Sequence, residues 1–90
     1  MSTLNELLEK KEKYKHLLGK EVKSDKDLSP NLVIGVAILP KGDVTQSNPN
    51  EDMFDETKDN DVCIIMQKGH LAGIGLKTTV EDFEKDYTIL

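Results

Sequence analysis

The sequence predicts an α+β domain in which one N-terminal helix packs on a small, mainly antiparallel sheet of about three to five strands. Three features lead there. The chain opens on a leucine-bearing amphipathic stretch with a helix-start signal, it carries two aliphatic runs, LVIGVAIL and VCIIMQ, and a Lys-Gly pair after the second turns it back. Ninety residues make a single domain, 1–90, with too little buried surface for a second core.

The helix is expected over about 4–18. Thr3 and Glu6 have the spacing of a capping box, in which each side chain satisfies a backbone N–H of the other. Leu4, Leu7, Leu8, Tyr14, Leu17 and Leu18 follow along one face, which is expected to pack on the sheet. Glu6 to Lys10 and Glu9 to Lys13 form i,i+4 charge pairs on the opposite side. Gly19 stands where a glycine ends a helix. Residues 20–30 are polar and read as a connector with a short strand near 21–23, because Pro30 biases Ser29 toward extended backbone. The run 32–39 between two prolines is a strand buried on both faces or nearly so.

Residues 41–61 form an acidic loop, with seven acidic residues from Asp43 to Asp61 against Lys58 alone. Like charges and few apolar anchors predict a solvated, mobile segment, with Met53 and Phe54 as the residues able to tack it to the core. The calcium-loop spacing and its central glycine are missing from DETKDND, so no metal site is expected. A hairpin follows over 62–78, with strands at VCIIMQ and from His70 to Thr78. A short turn then leads into an edge strand within 80–90.

Composition narrows the function classes. All 12 basic residues are lysine and the net charge is −5, so the guanidinium fork that grips phosphates and reads guanine is missing, and neither DNA nor RNA binding is expected. No apolar run reaches membrane-spanning length and the N-terminal pattern is charged, which predicts a cytoplasmic protein without membrane contact. The single cysteine, Cys63, excludes an internal disulfide and lies within an apolar run, where a buried thiol is expected over a reactive one. His16 and His70 have no neighbours marking them as activated bases, and no nucleophile elbow, HExxH, Walker loop or CxxC is present. No enzyme and no cofactor are therefore expected.

The closing stretch GHLAGIGLKTT places Gly73 and Gly75 among apolar residues. The expected strand makes these glycines bulges, close-packing points or places where a ligand can approach the backbone. VCIIMQKG, followed by LKTTVEDFEKDYTIL, resembles the C-terminal portion of the second Thoeris anti-defense family of small phage and prophage proteins. In that family a methionine-lysine strand end leads through a hairpin and an acidic turn to a closing Asp-Trp-Glu-aliphatic strand. Asp86, Tyr87, Thr88 and Ile89 stand at that closing pattern, with tyrosine for tryptophan and threonine for the acid. The family's basic, tryptophan-containing segment after the helix has no counterpart in EVKSDKD.

The resemblance implies a homo-oligomeric, non-catalytic sponge for a small-molecule cyclic or modified signalling nucleotide, working in the cytoplasm of a bacterial host. His70, Gly73, Gly75, Lys77, Thr78 and Thr79 are then the expected ligand-binding residues: glycines for close approach, one cation and two hydroxyls for phosphate and ribose oxygens. The other reading is an inhibitor or adaptor that covers a host protein with the acidic loop and the helix face.

Overall fold

The computed structural model describes residues 3–42, 46–68 and 75–90. In chain order these form helix α1 (Leu4–Tyr14), a 3-10 turn (Lys15–Leu17), strands β1 (Glu21–Ser24), β2 (Asn31–Pro40), β3 (Asn60–Lys68) and β4 (Gly75–Thr79), helix α2 (Val80–Asp86) and strand β5 (Tyr87–Ile89). The five strands make one sheet in the order β4-β3-β2-β1-β5, and every neighbouring pair is antiparallel. Both helices pack on the same face. The α+β architecture is the expected one, with the sheet at the upper end of the expected strand count.

Thr3 caps α1 by accepting from the Glu6 amide at 3.2 Å. The capping box is only half made, since the Glu6 carboxylate accepts from the Thr3 hydroxyl instead of the Thr3 amide. Regular helix stops at Tyr14, earlier than the leucine spacing predicts. The last turn tightens to 3-10, and Gly19, at φ +80°, turns the chain so that its amide donates to Val33 of β2. Tightening redistributes the leucine stripe. Leu7 and Leu17 are buried in the core and Tyr14 is half-buried, whereas Leu4, Leu8 and Leu18 stay about 40% exposed. The helix lysines also find other partners than expected: Lys10 reaches Asp61 at 2.9 Å and Lys11 reaches Asp52 at 3.0 Å, pinning α1 to the start of β3 and to the acidic segment.

Strand alternation divides the core. Val33, Val36, Ile38, Val62, Ile64 and Met66 point toward the helices, where Val22, Val80 and Phe83 complete the larger cluster. Ala37, Leu39, Cys63 and Ile65 point to the other face. Both faces of β2 and β3 are thus covered, as the unbroken aliphatic runs require. The β1–β2 turn is closed by Asp27, whose carboxylate accepts from the Ser24 amide at 3.0 Å and from the buried Asn31 side chain at 2.7 Å.

The acidic segment is anchored to the sheet in its middle, at residues 50–54, and exposed over residues 56–59. Asn50, Asp52 and Met53 hydrogen-bond to β2, Met53 packs on the smaller cluster and Phe54 on the larger one. Consecutive side chains on opposite faces of a sheet are the mark of an extended strand, and the segment runs beside β2 in that manner. Its pairing uses side chains in place of main-chain groups, so it has no periodic sequence signature. Among the described residues no helix is long and apolar enough to cross a membrane.

Candidate binding cleft

β4 holds four of the six expected ligand-binding residues at one margin of the sheet. Its register with β3 is unbroken, pairing Cys63 with Thr79, Ile64 with Thr78, Ile65 with Lys77 and Gln67 with Gly75. Alternation then separates them. Gly75, Lys77 and Thr79 share the face of Cys63 and Ile65, while Thr78 lies on the face that carries the helices. His70 and Gly73 lie outside the described residues.

Lys77 and Thr79 border a cleft of about 370 Å³ whose other walls include Lys41, Gly42, Asp59, Asp61 and Cys63. The β2–β3 register creates it by setting Pro40 opposite Asn60, while the Lys41 amide donates to the Asp59 carbonyl at 2.7 Å. The Lys77 ammonium spans the opening and donates to the Gly42 carbonyl at 2.7 Å. Gly42, at φ +112°, holds a backbone conformation that side chains disfavour, so the carbonyl that receives Lys77 sits on a turn made for glycine. Asp61 accepts from Lys10 and from the Val62 amide through the same oxygen.

Thr79 is already employed. Its side chain accepts from the Asp82 amide at 3.3 Å and caps α2, so a ligand would have to share that oxygen or use the hydroxyl proton. The Thr78 hydroxyl lies 3.4 Å from the Thr79 carbonyl and faces away from the cleft. Gly75 is in no tight contact: a Cβ there would meet only the Met66 carbonyl, at 3.8 Å. Close packing against described residues therefore does not account for glycine at this position.

Cys63 forms part of the cleft floor. It is 5% exposed, and burial pushes its thiol up to about 11, against a smaller opposing pull from Lys77. At neutral pH it is a protonated thiol and a poor nucleophile. His16 is exposed on the 3-10 turn, well separated in the chain from the cleft residues. Among the described residues no group of three or more histidines, cysteines or acids could hold a metal ion.

The walls contributed by residues 39–42 and 59–61 escape a reading based on glycines and hydroxyls. The pairing of two strand ends could have revealed them, since 40 and 60 meet when the two aliphatic runs are aligned antiparallel. A second open groove, about 350 Å³, lies between the β1–β2 turn and the α2–β5 junction, with Lys26, Lys85 and Tyr87 on its walls. Tyr87 stacks on Phe83 there, ring centres 5.3 Å apart and nearly parallel. No family model, curated protein or solved structure matches the chain.

Proposed function

We propose that the protein is a non-catalytic binding protein that sequesters a cyclic or modified nucleotide at the β4 margin. The observation that carries this reading is the cleft itself, which brings Lys77 together with Lys41, Gly42, Asp59 and Asp61 at the end of the strand that Gly75 begins. Lysine supplies charge for a phosphate, and carboxylates accept from ribose hydroxyls. The high thiol pKa of Cys63 fits a site that holds its ligand without attacking it. The reading takes its ligand class from the resemblance of VCIIMQKG and LKTTVEDFEKDYTIL to the second Thoeris anti-defense family, and with it a host-cytoplasmic role against bacterial immune signalling.

The described residues leave one side of the cleft open. A net charge of −5 repels a polyanion at long range, so affinity has to come from enclosure, and a second copy seated on the β4 margin supplies it. The proposal therefore includes a homo-oligomer.

A thermal-shift screen against cyclic dinucleotides, cyclic trinucleotides and ADP-ribose derivatives tests the reading. A ligand at about a hundred times its Kd adds about 2.7 kcal/mol, which moves the Tm of so small a domain by on the order of 10 °C. Lys77→Ala and Gly75→Val are expected to remove the shift, and Thr78→Ala to leave it. A shift that survives the first two variants moves the site elsewhere, and no shift with any probe removes the nucleotide reading.

The docked acidic segment favours one second reading, occlusion of a basic host protein. Glu51 sits on backbone fixed to β2, Glu56 lies in the turn that Asp55 and Asn60 hold, and Asp59 is tied to Lys41, and a fixed array of charge recognises a partner at less entropic cost than a mobile one. Capture of a single lysate protein that Glu51→Lys and Glu56→Lys abolish, with no nucleotide shift, would select this reading.

A further inference from the structure

β1 pairs with β2 only at Asn31 and Leu32, so the outer edge of β2 from Ile34 to Ile38 has no neighbouring strand in the five-stranded sheet. Its polar groups are nonetheless satisfied. The Val36 amide donates to Asn50 Oδ1 at 3.2 Å and the Ile38 amide to Asp52 Oδ1 at 2.8 Å, while Asn50 Nδ2 donates to the Ile34 carbonyl at 3.2 Å and the Met53 amide to the Ile38 carbonyl at 2.8 Å. Three of the four bonds come from side chains. Asn50 and Asp52 thus place oxygens where a partner strand would place carbonyls.

Gly35 makes the approach possible. A Cβ at that position would overlap the Pro49 carbonyl, and β2 bulges between Val33 and Gly35 at the same place. Lys11 holds the far end by its ion pair with Asp52.

We propose that Pro49–Met53 is an edge guard that prevents β2 from pairing with β2 of a second copy. The protected sequence, Ile34 to Leu39, is continuous, apolar and uncharged, the composition that pairs readily when its edge is bare. A guard built from side chains blocks that edge by occupying its outward amides and the Ile34 carbonyl. Association through the β4 margin is a separate matter, since β4 lies two strands away.

Two variants release the guard by different routes: Asn50→Ala with Asp52→Ala removes its acceptors, and Gly35→Ala pushes the Pro49 carbonyl away while keeping them. Residue-resolved amide exchange and light scattering on the full chain read the outcome. In each folded variant, at dilution low enough to keep the parent mass, the Val36 and Ile38 amides are expected to exchange at least about tenfold faster, while Ala37, whose partner is Cys63 on β3, keeps its protection. At higher concentration particle mass is expected to rise beyond that of the parent protein and the two amides to regain protection as the edges pair. Unchanged exchange at Val36 and Ile38 on dilution, or the parent mass retained at every concentration, overturns the proposal. Should the double variant fail to fold, Gly35→Ala decides alone.

Discussion

Asp27 shows how one half-exposed carboxylate can hold a turn. It accepts from the Ser24 amide and from Asn31, a side chain with 1% exposure whose own Oδ1 has no donor among the described residues. The Ser24 backbone bond, with help from Asn31 and the Lys68 charge, lowers the Asp27 pKa below its ordinary 3.8, against a smaller opposing effect of burial. A carboxylate with a depressed folded pKa stabilises the fold above its unfolded pKa. That contribution is lost as pH falls through the folded value. Melting temperature is therefore expected to decline as pH drops below about 4, and Asp27→Asn to flatten that part of the profile. An unaltered acid limb in Asp27→Asn would mean that the turn is held by other groups. Gly35 and Gly75 are the instructive pair at this scale. Both stand beside aliphatic residues in the sequence, yet among the described residues only Gly35 is required by a crossing backbone, a distinction that depends on a segment 14 positions further along the chain.

At the scale of elements, β2 and β3 were legible because burial on both faces leaves an unbroken aliphatic run, and the short β1 and the edge strand β5 because turn residues bound them. The helix was legible in place but not in extent. Leucine spacing counts positions on an ideal helix, and the 3-10 tightening after Tyr14 rotates Leu18 outward while keeping Leu17 in the core. Leu7→Ala is accordingly expected to cost about 2–5 kcal/mol and Leu8→Ala less than about 1 kcal/mol by denaturant unfolding. Equal costs would restore the wider stripe. In the acidic segment Met53 and Phe54 pack on the core as their sequence suggested, whereas the bonds that the β2 amides make to Asn50 and Asp52 leave no periodic trace. Thr79 belongs to this scale too, since its oxygen caps α2. Thr79→Ala is expected to lower stability by about 1 kcal/mol and Thr79→Ser to retain it, whatever ligand is present. If both variants melt with the parent, the cap is unimportant and the hydroxyl is free for a ligand.

Across the whole molecule, the helices lie on one face of the sheet and the acidic strap along β2, and the proposed site is at the β4 margin. Four of the six expected ligand-binding residues lie on β4. Lys77 and Gly75 share a face because they are two positions apart, and the same alternation removes Thr78, whereas the Pro40–Gly42 and Asp59–Asp61 walls arise only when two distant strand ends meet. The central claim is that the protein holds a nucleotide and returns it unchanged. The most direct measurement is to incubate the protein with a pool of cyclic dinucleotides, cyclic trinucleotides and ADP-ribose derivatives, remove free ligand by gel filtration, denature the protein and identify what is released by mass spectrometry. The account predicts one intact nucleotide retained by the parent protein and lost in Lys77→Ala; no retained nucleotide, or release of a chemically altered one, would contradict it.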